Sequence, residues 1–463
     1  MIASFACLFA LSQQDAGFKF REYEADKIKP SEFAQRRREF GLRLPKGSIS
    51  VLVTNPSHQR TNDTDYRFRP NSYFWYLTGC EEKNSALIIA PEGMTVDGKT
   101  VKEVLFVGDK NPGGETWTGI IMGSAVAKET LGVEMVLSNK RFSEVLAASR
   151  PTSVSLVERP SGLSGGVLSM VTAYDNWSKA YSKDATAVRE LGNMRSIKSP
   201  AEIALTWKSI NATVAAHLEA LKSCEPGMRE YEIASMVEYI FARNGCEAAA
   251  YGSIVGSGVH SCVLHYVEAR KVIEKGDFIC MDVGGEYHGY ASDVTRSYPA
   301  NGEFSPEQKA IYEIVEQAQR AGVLACKVGA SFGAADGIAR KIVSEGLVRL
   351  GIVANPAESG KYFMHGTSHY VGLDVHDTGD GGALKAGQVL TVEPGIYIKE
   401  GSPCDKKWWN IGVRIEDTVL VTDGGPVNMS GNALPRSVAE IERLMAQVGL
   451  ANRPEGKVSK GSG

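Results

Sequence analysis

The alternation of apolar and polar positions divides the chain into two parts. From Ser31, SEFAQRRREFGLRLP reads as a helix capped by Ser31 and closed before Pro45. The β-branched run SISVLVTNP then predicts a strand ending at Asn55-Pro56. Two further strand-like runs follow, SALIIAP after Gly79 and VKEVLFVGD after an Asp97-Gly98 turn. AVAKETLG is helical and SVSLVER is another strand, so residues 31–177 predict a first domain of α/β type. Within it, TNDTDYRFRPNSYFWYLTGC is dense in rings: Tyr66, Phe68, Tyr73, Phe74, Trp75 and Tyr76. It reads as a buried loop with aromatic anchors. With Arg67 and Arg69 among the rings, the alternative is an edge reaching over a neighbouring active site or subunit.

Residues 178–194 read as a linker. Ser199-Pro200-Ala201-Glu202 then supplies an N-cap, a first-turn proline and an early acid. AEIALTWKSINATVAAHLEALKSC continues as a long amphipathic helix stopped at Pro226-Gly227, and MREYEIASMVEYIFARNG is a second helix ending at Gly245. His217 lies on the first of these without polar neighbours and reads as structural. The second domain is expected over 195–449, with a leader and arm at 1–30 and a disordered tail at 450–463.

Composition narrows the functional classes. The chain has 463 residues, 43% hydrophobic and 23% charged, which fits two globular domains. A net charge of −3 with scattered Lys and Arg gives no footprint for nucleic acid or an anionic membrane. The eight cysteines form no CxxC pair, which argues against a zinc ribbon or a small disulfide scaffold. No apolar run reaches the ~20 residues of a membrane helix. Ile2–Leu11 is an apolar core of secretory-signal length, with Ala10-Leu11-Ser12 as a cleavage site, yet no Lys or Arg precedes it. Both cytoplasmic and exported locations therefore stay open.

The chemistry concentrates in three stretches. HGTSHYVGLDVHD, from His365 to Asp377, crowds three of the eight histidines onto backbone whose Gly and β-branched residues favour strand and loop. That setting suggests metal ligation or proton transfer. On either side lies an internal repeat. GDFICMDVG (276–284) aligns with GQVLTVEPG (387–395), placing Asp282 opposite Glu393 in the alignment. Each copy is followed by a returning strand with a second acid, Asp293 in ASDVT and Glu416 in RIEDT. Cross-strand neighbours in a hairpin are ~5 Å apart. Four carboxylates in such apolar strands would be costly without cations. Two divalent metals would neutralise them, with one histidine on an intervening strand completing the set. An oxygen-rich site with one nitrogen favours Mn²⁺, with Co²⁺, Fe²⁺ and Zn²⁺ as alternatives. Asp417, beside Glu416, points to the opposite strand face and reads as supporting.

These residues resemble a known family. MDVGGEYHGYASDVTRSY, HGTSHYVGLDVHD, VEPGIYI and GVRIEDTVLVT look like the aminopeptidase P and prolidase branch of the pita-bread metallopeptidases. RRREFG and DYRFRPNSYFWYLTG are similar to the amino-terminal domain of aminopeptidase P. The resemblance implies a creatinase-like α/β domain, then an α+β catalytic domain with a curved antiparallel sheet and paired helices. It implies two metals on Asp282, Asp293, His369, Glu393 and Glu416, with Asp293 and Glu416 bridging. It also implies His365 as a flanking active-site residue, His265 and His376 on the substrate and its oxyanion, and Arg414 and Tyr397 around the metals. The implied reaction is attack by a metal-bridging hydroxide, with Glu393 moving a proton to the leaving nitrogen. The implied substrates are peptides with proline second, and the implied assembly is a homodimer or homotetramer.

Two stretches, HDTGDGG and GCEEKN, depart from the usual family pattern without touching a ligand position. His288 reads as a turn residue and His260 as lining the site. A prolidase, restricted to Xaa-Pro dipeptides, is the main rival; spacing along the chain does not separate the two. A methionine aminopeptidase has no need of the large first domain. A catalytically inactive binding protein would be expected to lose ligands, and all five are here.

Overall fold

The computed structural model describes residues 26–431 and 433–452. The expectations for the signal-like start and for most of the tail lie outside them. The chain divides into two compact units between Leu191 and Gly192.

The first unit is built on one six-stranded mixed sheet. Its order is Met135–Ser138, Lys99–Val107, Ala86–Val96, Ser48–Val53, Ser153–Leu156, Ser182–Lys183. Ser48–Val53 is buried along its whole length, which explains its near-continuous β-branched sequence. Asp97 and Gly98 both take positive φ, 50° and 73°, as a tight two-residue hairpin turn requires. Three expectations need correction. The first helix is Pro30–Arg43, and Ser31 does not cap it: Pro30, with its φ already helical, opens the first turn. The ring-rich stretch is partly a helix, Ser72–Thr78, because the Asn71 side chain accepts from the Tyr73 and Phe74 amides and Gly79 closes it in the left-handed region. Phe74 and Tyr76 are buried anchors there, while Tyr66 is exposed. Finally, residues 178–194 are no bare linker: they carry the sixth strand and most of the helix Thr186–Ser196.

In the second unit every strand pairing is antiparallel. The helix Pro200–Ser223 begins with a reciprocal capping box between Ser199 and Glu202, and the helix Glu230–Arg243 packs on it. Pro306–Ala325 and Ala334–Arg349 form a second pair. The two repeat copies build matching sheets. One holds Ile254–Ser257, Phe278–Val283 and Val294–Pro299; the other holds Val389–Val392, Asp417–Thr422 and Gly425–Asn428. An isolated bridge between Thr295 and Glu416 joins them.

The glycines that end the repeat are needed for close approach. A Cβ on Gly284 would stand 1.8 Å from the Ser292 carbonyl, and one on Gly395 would stand 2.5 Å from the Tyr397 hydroxyl. His217 is a core residue, as read: it is fully buried, its Nε2 lies 3.0 Å from the Val294 carbonyl, and burial pushes it down to about 3. Against the expectation of a wholly disordered tail, Leu450, Ala451 and Asn452 are hydrogen-bonded to Glu219, Ser223 and Lys222 at the end of the Pro200 helix. Among the described residues no helix is long and apolar enough to cross a membrane.

Candidate metal centre and active site

Where each repeat copy leaves its sheet, it releases an acid into a common space. Asp282 sits within Phe278–Val283, opposite Thr295, while Asp293 immediately precedes the returning strand. In the second copy Glu393 follows Val389–Val392, and Glu416 precedes Asp417–Thr422. The acids thus lie at strand ends, where the chain crosses from one sheet to the next, rather than squarely on two hairpin arms.

Contrary to the expectation of an intervening strand, His369 is on no strand. It lies in an irregular segment running beside Val389–Val392, held by Thr391 N–H donating to the His369 carbonyl at 2.9 Å and Glu393 N–H to the Thr367 carbonyl at 2.9 Å. Its Nδ1 faces the Tyr370 carbonyl at 3.1 Å, which fixes the proton there and leaves the Nε2 lone pair free. That Nε2 lies 3.3 Å from Asp293 and 3.5 Å from Glu393. Potential ligand atoms of Asp293, His369 and Glu416 all fall within 4.8 Å of one another.

Threonines two residues from the acids tie the copies together. Thr295 Oγ1 donates to Glu416 at 2.7 Å, and Thr418 Oγ1 donates to the Asp293 carbonyl at 2.8 Å. Each copy therefore holds the acid-bearing residue of the other. Thr391 accepts from the His369 amide at 3.1 Å and donates to Glu393 at 3.3 Å. The repeated acid-x-Thr spacing, with i and i+2 on one strand face, was the signal in the sequence for this clamp.

Electrostatically the cluster is short of positive charge. Burial, then the charge of Asp282, raises Asp293 well above the usual carboxylate range; burial, then Asp293, does the same to Glu416. Burial and the neighbouring Glu416 push Glu393 up to about 8. Arg414 meets Asp282 at 2.6 Å, and the Tyr251 hydroxyl lies 2.6 Å from both Asp282 and Asp293. Neutral donors and one guanidinium do not balance four acids. A set of four carboxylates with one imidazole presenting its lone pair fits divalent cations.

The other predicted residues gather around this set. Arg414 Nη1 donates to the Tyr397 hydroxyl at 2.9 Å, and Tyr397 lies 2.8 Å from His365 Nε2. His365 Nδ1 faces the Gly366 carbonyl at 2.8 Å, so Tyr397 donates to Nε2 and the chain runs Arg414, Tyr397, His365. Burial brings His365 down to about 4, which keeps its Nε2 an acceptor. His376 stacks on His369, and burial, then the charges of His369 and His265, lower it. His265 stands exposed beside His376.

Three residues fall elsewhere. His260 stacks on Tyr266 and contacts buried Glu230, so it supports a loop rather than lining the centre. His288 is the turn residue expected, with φ of 46° and Nδ1 3.0 Å from Glu247. Asp417 is wholly buried among Arg296, Gln319, Asn428, Ser430 and Arg436, which makes it a structural junction. Tyr251 went unread: a lone phenol in a short loop carries no local mark of its two carboxylate partners.

A buried cluster of carboxylates and one imidazole, where two copies of a sheet motif meet, defines a metallohydrolase of duplicated antiparallel architecture. Comparison with known proteins makes this specific. Residues 204–423 match the metallopeptidase family M24 and residues 33–154 match the aminopeptidase P N-terminal domain. The chain is 35% identical over 431 residues to an Xaa-Pro aminopeptidase of Haemophilus influenzae, covering 90% of this chain and 98% of that one. It is 33% identical over 485 residues to the human Xaa-Pro dipeptidase, covering 93% and 96%. The solved aminopeptidase P of E. coli with the inhibitor Pro-Leu superposes with a TM-score of 0.83 at 32% identity, over 90% and 98% of the two chains. The chain belongs to the Xaa-Pro aminopeptidase family of M24 metallopeptidases. Its second unit is the pita-bread domain expected from the motifs.

Proposed function

We propose that this enzyme removes the N-terminal residue from peptides whose second residue is proline. The observation that carries the reading is the Asp293–His369–Glu416 cluster, with Asp282 and Glu393 beside it, inside an M24 unit. Asp282, Asp293, His369, Glu393 and Glu416 would hold two divalent ions. The donor set suits Mn²⁺ over Co²⁺, Fe²⁺ or Zn²⁺. When bound, the cations supply Lewis acidity, making water nucleophilic near neutral pH and polarising the scissile carbonyl.

The chain's own groups do the rest. Glu393, held by Thr391 and facing His369 at 3.5 Å, is placed to take a proton from water and return it to the proline nitrogen. That nitrogen is a tertiary amide and leaves only once protonated. His376 and His265 supply N–H donors for the developing oxyanion. The Arg414–Tyr397–His365 chain orients Asp282 and the wall beside Glu393. A homodimer or homotetramer is the proposed assembly; a cytoplasmic or an exported location both accord with this reading.

A second reading has a specific observation behind it: the match to a dipeptidase is longer than that to an aminopeptidase, 485 against 431 residues, and almost as identical, 33% against 35%. One assay separates them. With Mn²⁺ supplied, an Xaa-Pro dipeptide is compared with Xaa-Pro peptides of three or more residues. Preferential cleavage of the longer peptides supports the aminopeptidase; cleavage of the dipeptide alone assigns a prolidase.

A further inference from the structure

Fifteen residues, 257–271, carry His265 past the metal centre. Beyond the strand end at Ser257 and the short turn Gly258–Cys262, this loop has no helix or strand. One side chain meets it at several points. Glu230, in the first turn of the helix Glu230–Arg243, is wholly buried. Its Oε1 accepts from the Ser257 amide and hydroxyl, both at 2.8 Å, and lies 3.2 Å from His260 Nδ1. Its Oε2 accepts from the Tyr266 hydroxyl at 2.8 Å and from the Lys271 amide at 2.9 Å. One carboxylate thus grips the beginning, the middle and the end of the loop.

Neighbouring contacts make the grip directional. His260 stacks on Tyr266 with centroids 4.2 Å apart, and Tyr266 in turn accepts from the Arg270 amide at 3.2 Å. On its other side the loop is tied to the centre by Arg414, whose Nη2 reaches the Leu264 carbonyl at 3.4 Å. His265 lies between Leu264 and Tyr266, the residues held by Arg414 and Glu230. Only a carboxylate serves all five donors. An amide at this position would offer one accepting oxygen and turn its NH₂ toward either the Ser257 pair or Tyr266 and Lys271.

We infer that Glu230 is a positioning residue for His265, setting the height of that imidazole over the substrate without touching it. This rests on the reading above, in which His265 meets the substrate. A positioning role makes a specific demand: the effect of Glu230 must vanish when His265 is gone.

The experiment is a double-mutant cycle on the metal-loaded enzyme, with Glu230→Gln, His265→Ala and the double variant, reading kcat, KM and bound metal. Glu230→Gln is expected to lower kcat about tenfold or more with metal content and KM near wild type. In the His265→Ala background it should change kcat by less than about twofold. Equal losses in both backgrounds would overturn the inference and leave Glu230 a purely structural residue. Wild-type turnover in His265→Ala would remove His265 from the reaction and take the inference with it, a failure distinct from that of Glu230 alone. Should Glu230→Gln fold poorly, Tyr266→Phe deletes a single donor to Oε2 and is run through the same cycle, with the same outcomes deciding.

Discussion

The rings of His369 and His376 lie face to face, with centroids 3.9 Å apart and 16° between their planes. Of this pair, His369 turns a nitrogen toward the acids, with its Nε2 3.3 Å from Asp293. Three histidines close in sequence have therefore separate duties: one faces the carboxylates, one covers it, and His365 is held through Tyr397.

This division predicts how His376 responds to substitution. His376→Ala should retain metal, measured by elemental analysis, while kcat falls about 10²-fold. Unchanged kcat would exclude His376 from the reaction.

Asp293 is expected to behave in the opposite way. It faces His369 and Tyr251, and its backbone carbonyl is held by Thr418. Asp293→Ala should abolish metal loading and peptide cleavage together. Loading measured by titration calorimetry that matched wild type would remove Asp293 from the metal site.

Tyr251 orients two acids with one hydroxyl. Tyr251→Phe keeps the ring and deletes only that contact. Metal affinity is expected to weaken about 10-fold or more, as happens when groups orienting ligands are lost. Competition with a metallochromic chelator measures it.

A fourth prediction concerns acid stability. Asp377 is buried with Lys198, 2.8 Å away, and Arg195. Burial alone would raise its carboxyl, but the Lys198 and Arg195 charges outweigh that and lower it. Its contribution is therefore fully present above the unfolded Asp value of about 3.9 and fades as pH falls through the lower folded value. Asp377→Asn takes the carboxylate from buried Lys198, while Arg195 keeps Asp374 at 2.7 Å, and should destabilise the fold by about 3 kcal/mol at neutral pH. In denaturant melts the difference between the two proteins should shrink below about pH 4. A gap that stays constant down to pH 2–3 would show that the ion pair is not its source.

Much of this was legible because the deciding signals are local. The Asp97-Gly98 hairpin and the Ser199–Glu202 cap each depend on residues within a few positions of one another. The repeat could be read as well, since strand, acid and glycine recur in the same order. What escaped depends on distant partners or on competing start signals. Ser31 resembles a cap, yet Pro30 beside it fits the first helical position better. The short strand Ser182–Lys183 has no pattern of its own and forms because Ser153–Leu156 offers it an edge. His369 could be recognised, but its irregular backbone is set by hydrogen bonds to a strand more than twenty residues on.

The crossed threonines, Thr295 on Glu416 and Thr418 on Asp293, have a consequence for dissecting the chain. Since each copy secures the other's acid, the catalytic unit has no self-sufficient half. Cut between the copies, near residue 302, the two fragments would each retain a sheet but neither a working centre. Activity could return only when both are mixed and dock, which makes enzymatic turnover a direct reporter of their reassembly.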